Sequence, residues 1–314
     1  MYRIGIDLGG TNIAFGLVSE DGILINKFSI PTRATRTDLQ IVDDMAVNSL
    51  KLITDNKLKE SDIISIGIGS PGTPDVNEGI LIYSCNLPFI NTNIRKLFLK
   101  YTKIPVFLDN DANCAALGEN TSGGAKEYKH SITMTIGTGI GGGIIIDGKI
   151  YGGFNFAGGE LGHHVIVVDG ESCNCGRRGC FEAYSSATAI IRDTKKAAIK
   201  YPNSAINSLC NGDLDQINAK TAFDAKKLGD PVGTEIVDTF IKYLGEGISN
   251  MINIFQPEII LIGGGVSKQG NYLLDPLRKF VLANTYNREG VARTKIEQAK
   301  LGNDAGIIGA AMLG

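Results

Sequence analysis

Charge of one sign, long apolar runs and, outside one short stretch, cysteine are what this 314-residue sequence lacks. Lys and Arg number 31 against 33 Asp and Glu, for a net charge of −2. No basic run, patch or tail stands out, so nucleic acid is not an expected partner. No apolar run approaches the length of a membrane span, which excludes a membrane partner of that kind. The opening MYRIGIDLGG has no charged leader, apolar stretch and cleavage site. The expectation is a cytoplasmic protein with reduced thiols, where six cysteines are not a disulfide framework. Tryptophan is absent, whereas glycine is abundant at 40 residues. In a soluble enzyme that abundance points to tight turns and backbone brought close to ligands.

The apolar pattern reads as α/β. YRIGIDL, NIAFGLVS and ILINKFSI are three strands, with Glu20–Gly22 as a hairpin turn. Helical spacing runs from Thr37 to Asn56, and IISIGIGS and IPVFLDN are further strands. A helix starts at Asp111. A second cycle opens at HSITMTIG, passes a glycine turn and a hairpin at Asp147–Gly148, and enters a loop-rich insert over 151–181. Helices are predicted over 182–201, 215–228 and 230–255, then a buried strand in PEIILIGGGVS and a last helix over 302–312. The predicted domains are 1–120 with 302–314, and 121–301 carrying the insert.

Three glycine turns end apolar strands. DLGGTN (Asp7 to Asn12) offers backbone N–H groups and the side chains of Thr11 and Asn12 to an anion, with Asp7 placed to orient magnesium. TIGTGIGGG and IGGGVS repeat the arrangement. Neither has the spacing of a P-loop or a dinucleotide fingerprint. Each alone is an ordinary turn; three in one chain favour a nucleotide. In LDNDANCAALGE, a helix cap accounts for one polar group of four. Asp111 suits a base that takes a proton from an alcohol, kept ionised by the helix dipole, and Asn110 suits a sugar hydroxyl.

CNCGRRGC, Cys173 to Cys180, holds half the cysteines in eight residues. Cys173 and Cys175 are too close to bridge, and no Cys-x-x-Cys redox pair is present. Three thiolates around Gly176 and Gly179 suit a tetrahedral zinc knuckle. GGELGHHVIV, ten residues upstream, offers His163 and His164 as the fourth ligand. The site would be structural. It would bring Glu160 and Glu182 to one place, a pair suited to polyhydroxyl ligands. Cys85, Cys114 and Cys210 read as buried free thiols.

With DLGGTN, DNDAN, TIGTGIGGG, GGELGH, CNCGRRGCFE, LIGGGVS and GNDAGIIGAA, the chain resembles the ROK family along its whole length, and among its members the glucokinases. The resemblance implies the actin-like, ribonuclease-H-like ATPase fold, two α/β domains around a cleft. It implies Asp111 as the base acting on the sugar 6-hydroxyl. Asn110, Glu160, His163 and Glu182 become the sugar set, with Gly72 and Asn86 on closing segments. Gly9, Gly10, Thr11, Asn12, Thr138 and Gly139 become the phosphate loops, and Gly264 and Gly265 the adenosine turn. His163, Cys173, Cys175 and Cys180 become the zinc ligands, with His163 turning its other nitrogen to the sugar.

Two departures stand out: Asn12 occupies a position where many members carry Lys, and His164 one that is usually apolar. The expected cofactors are ATP, Mg2+ and a structural Zn2+, and the expected assembly is a homodimer, with a tetramer as the alternative. Polyphosphate or ADP as donor would leave these turns unchanged. Rival readings are kinases for N-acetylmannosamine, N-acetylglucosamine, mannose, fructose or allose, and a sugar-responsive transcriptional regulator. The regulator would need a helix-turn-helix, and the first strand begins at Tyr2.

Overall fold

A computed structural model describes residues 1–84, 86–286 and 291–314. Cys85, read above as a buried thiol, lies outside the described residues. The chain divides into two compact units. One comprises Met1–Thr133, Gly143–Gly159 and Ala299–Gly314; the other comprises Met134–Gly142 and Glu160–Gln298.

The first unit opens with β1 (Tyr2–Leu8), β2 (Asn12–Ser19) and β3 (Leu24–Pro31) as an antiparallel meander. Helix α1 (Asp38–Asp55) follows. Thr37 caps it through a reciprocal box with Gln40, worth about 1 kcal/mol. Its face of Ile41, Val42, Met45, Ala46, Leu52 and Ile53 is buried. Next come β4 (Ile63–Ser70), β5 (Thr73–Asp75), β6 (Ile80–Tyr83), β7 (Ile90–Asn93), α2 (Ile94–Phe98), β8 (Val106–Asn110) and α3 (Asp111–Ser122). The main sheet has order β3-β2-β1-β4-β8, and β1, β4 and β8 run parallel. β5, β6 and β7 form a separate three-stranded sheet that the apolar pattern did not announce. Its strands are three or four residues long, too short for a period to register.

A second five-stranded sheet has order β11-β10-β9-β12-β13. It takes in β9 (Ser131–Ile136), β10 (Ile140–Ile146) and β11 (Lys149–Ile150). After the insert come α4 (Glu182–Ser185), α5 (Ala187–Lys200), α6 (Ala205–Leu209), α7 (Thr221–Lys227) and α8 (Pro231–Phe255). β12 (Ile259–Gly263), α9 (Asn271–Asn284), β13 (Lys295–Gln298) and α10 (Asp304–Ala311) complete the chain. The single helix expected over 182–201 is broken at Ser186, whose extended backbone ends α4 and whose hydroxyl caps α5. The helix expected over 215–228 starts only at Thr221. Asp213 caps a short turn at Leu214–Gln216, and the Asn218 side chain takes the Lys220 N–H, so local side-chain bonds displace the helix.

Helix α10 lies against β1, β4 and α3 with almost no side-chain spacing. A methyl group on Gly309 would stand 1.6 Å from the Cys114 carbonyl oxygen, and one on Gly5 would stand 1.9 Å from that of Ile307. This contact fixes α3 and the middle of β1 to one support.

Candidate active site

Three parallel strands of the first unit end side by side. Register pairs Asp7 with Gly69, Gly69 with Asp109, and Ser70 with Asn110. The carboxyl ends of parallel strands are where open α/β sheets place ligands. Three carboxyl groups collect there, and each is lifted above its ordinary range chiefly by burial. Asp7 reaches about 6, with the charge of Asp111 as the second cause. Among the described residues no Lys or Arg contributes to any of the three shifts. A cluster of oxygen donors with no such neighbour is of the kind that suits a hard cation.

The polar residues of this corner divide by what they are already doing. Asp109 Oδ1 accepts the Asn110 N–H at 2.7 Å and the Asn113 amide at 2.8 Å. Asn110 caps α3 through Oδ1, and its Nδ2 donates to the Gly72 carbonyl at 3.1 Å. Asp111, the first residue of α3, takes only local backbone N–H groups, Ala112's at 2.9 Å and its own. The dipole expected to hold Asp111 low is outweighed by burial, so once ionised it is a stronger base than an ordinary aspartate. Cys114 is wholly buried beneath this corner, and burial drives its thiol far up.

The Gly9–Asn12 turn is exposed and closed on itself, Gly9 N donating to Asn12 O at 3.0 Å. Buried Thr32, just past β3, pins it: its hydroxyl donates to Gly9 O at 2.6 Å and its N–H to Thr11 O at 2.8 Å. Thr32 was missed in the sequence, where a lone Thr after a strand carries no signal. Asn86 is exposed between β6 and β7.

In the second unit, His163, Cys173, Cys175 and Cys180 bring one donor atom each to within 4.8 Å of one another. His163 Nδ1 lies 3.6 Å from Cys173 Sγ, and Cys175 Sγ lies 3.6 Å from Cys180 Sγ. A tetrahedron around zinc, with bonds of about 2.0–2.3 Å, has edges of about 3.4–3.8 Å. The donor set fits that metal. Backbone bonds shape the knuckle: Cys173 N donates to Arg177 O, Gly176 N to Cys173 O, and Gly179 N to Glu171 O. Burial pushes the Cys180 thiol up to about 12 and lifts that of Cys173. Cys175 is lowered, first by the Arg177 N–H. His164 lies outside the cluster. Its Nδ1 contacts the Leu161 carbonyl at 2.6 Å and its ring packs on Phe181, centroids 5.0 Å apart.

Glu182, the first residue of α4, places Oε1 3.8 Å from Cys173 Sγ, while Oε2 accepts the Ile140 N–H at 2.8 Å. Glu160 is exposed, and its carbonyl accepts the His163 N–H that closes the turn Leu161–His163. Thr138 is exposed on the turn between β9 and β10, beside Gly139. Gly264 and Gly265 are exposed after β12, where Ser267 donates its hydroxyl to Gly264 O at 2.8 Å.

The sequence pattern of the ROK family matches residues 3–314. The chain is 39% identical to a glucokinase of Thermotoga maritima, over 99% of this chain and 96% of that protein. Among solved structures it is similar to a ROK family glucokinase from Streptomyces griseus in complex with glucose and AMPPNP. Identity there is 33%, TM-score 0.80, and coverage 100% of this chain and 99% of that one. It is also similar to a ROK family transcriptional regulator homologous to the E. coli MLC protein, at 26% identity and TM-score 0.84, covering 99% and 77% respectively.

Proposed function

The chain belongs to the ROK family, and on that premise we propose that it is a glucokinase, transferring the γ-phosphoryl group of ATP to the 6-hydroxyl of glucose. The observation that carries the chemistry is Asp111: a buried carboxylate at the end of β8, free of any cationic partner and raised in basicity. Phosphoryl transfer needs an aligned nucleophile and stabilised charge more than covalent help. In this reading Asp111 accepts the proton of the sugar 6-hydroxyl as that oxygen attacks phosphorus. Asn110 orients a neighbouring hydroxyl through the amide that already meets Gly72. Glu160, Glu182 and the second ring nitrogen of His163 hold further hydroxyls. The turns at Gly9–Asn12 and Thr138–Gly139 present N–H groups to phosphate, and Gly264–Gly265 take the adenosine. Magnesium, when bound, offsets phosphate charge beside Asp7. Zinc, held by His163, Cys173, Cys175 and Cys180, would fix the loop that carries the sugar residues.

A coupled ADP-release assay over a panel of hexoses and N-acetylhexosamines tests the reading. Glucose should give the highest kcat/KM; no stimulation by any sugar would refute kinase activity, and preference for another would move the substrate. Asp111→Asn should lower kcat about 10²–10⁴-fold while glucose still binds by calorimetry. The likeness to a transcriptional regulator supports a second reading, sugar-responsive DNA binding. A gel shift with genomic fragments separates the two, and no shift is expected.

A further inference from the structure

The turn between β9 and β10 is held from one side at three points. Ala187 N, at the start of α5, donates to Gly137 O at 2.9 Å. The Thr188 hydroxyl donates to Thr138 O at 2.7 Å. Glu182 Oε2, from α4, accepts the Ile140 N–H at 2.8 Å. The three donors and acceptors come from one seven-residue stretch, and between them they engage Gly137, Thr138 and Ile140. The fit leaves no slack at the residue between: a methyl group on Gly139 would stand 2.2 Å from Glu182 Oε2.

The same stretch is continuous with the metal knuckle. Ala183 N donates to Cys180 O at 3.0 Å, and Phe181 N to His164 O at 2.8 Å. Ser186 N returns to Glu182 O at 3.2 Å and the Ser186 hydroxyl caps α5, so the junction is locally braced at both ends. The Glu182 carboxylate spans the interval, one oxygen near Cys173 Sγ and the other on the turn.

We propose that the α4–α5 junction is a clamp that sets the phosphate-binding turn, with Thr188 as a positioning residue for the nucleotide and Glu182 as a strut joining the knuckle to that turn. The inference rests on the reading of Thr138–Gly139 as a phosphate site. Thr188 would act through the turn rather than on the nucleotide itself. It fixes the carbonyl of Thr138, and with it the direction of the Gly139 N–H, because the two belong to one planar peptide unit. On Glu182, Oε2 carries the short bond to the turn, while Oε1 has only the 3.8 Å contact with Cys173 Sγ.

The test is Thr188→Val, which keeps the shape of an exposed residue and removes the hydroxyl, compared with Thr188→Ser and Thr138→Ala. The Kd of a non-hydrolysable ATP analogue should rise about three- to tenfold in Thr188→Val, the effect of one ordinary hydrogen bond. The KM for ATP should rise with it, the KM for glucose and the zinc content should not change, and Thr188→Ser should restore both nucleotide constants. Unchanged nucleotide affinity in Thr188→Val, or an equal rise in the glucose KM, would overturn the clamp. If Thr138→Ala weakens the analogue and Thr188→Val does not, the clamp fails and the phosphate site stands. If neither variant changes affinity for the analogue, the clamp falls.

Discussion

Replacing Asp7 by Asn should stabilise the protein, and only away from acid pH. Burial first, and the charge of Asp111 second, lift this carboxyl from 3.8 to about 6 in the folded chain. Between those values the folded state keeps a proton that the unfolded state has released. A raised folded-state value is a stabilising contribution below the unfolded value, lost as pH climbs through the folded one. The size follows from the shift: roughly two pH units at 1.36 kcal/mol each is about 3 kcal/mol. Asparagine resembles the protonated acid at every pH and so never loses the contribution.

The stability gap between Asp7→Asn and the wild type should be near zero at about pH 4, widen by about 1.4 kcal/mol per pH unit through the window, and level off above pH 7. Urea unfolding in magnesium- and nucleotide-free buffer across that range measures it. Because Asp111 is the second cause, Asp111→Asn should move the wild-type transition to lower pH. A gap that is the same at pH 4.5 and pH 8 would refute the argument, as would an Asp7→Asn protein less stable at pH 8. The result would also say why so costly a group is there: a site that holds an ionised acid out of water is one that expects a cation.

Protein purified without added metal should contain about one zinc per chain by elemental analysis, as a closed four-ligand site requires. Cys180→Ser should lose it and melt at a lower temperature, and folded protein without zinc would exclude the knuckle. Metal uptake should weaken as pH falls, because the raised thiols of Cys173 and Cys180 must release protons to bind. Gly309→Ala, whose new methyl would meet the Cys114 carbonyl at 1.6 Å, should cost about 1–3 kcal/mol in urea unfolding, and wild-type stability would contradict the seating of α10.

Elements with a long, one-faced pattern were legible in the sequence. Helix α1 starts after Thr37 and α8 after Asp230, where cap and period agree. The α9–β13 segment and the β5–β7 sheet were not, because Pro276 interrupts the α9 pattern and the strands are too short to show one. In the candidate site, the clustering of the three thiols was legible because cysteine spacing has few competing explanations, and it is His163 rather than His164 that joins them. Thr32 and Thr188 were not, since each acts on a turn distant in sequence: 23 residues from Gly9 and 50 from Thr138. A hydroxyl that acts at such range has no local pattern.

The corner at the strand ends also shows why residue type alone overstates a site. Asn110 caps the first turn of α3, and Asp109 bonds to the Asn113 amide and to the Asn110 N–H, so local structure accounts for all three. Glu182 is half occupied by the Ile140 N–H. What remains with unused capacity is small: Asp111, engaged only by local backbone, and Asp7, raised by burial beside it. A capped helix start costs little to keep in any fold, whereas two buried acids that repel each other are destabilising unless something binds them. The structural residues therefore explain the position of the acids and not their presence, and it is the presence that calls for a cation and a proton donor.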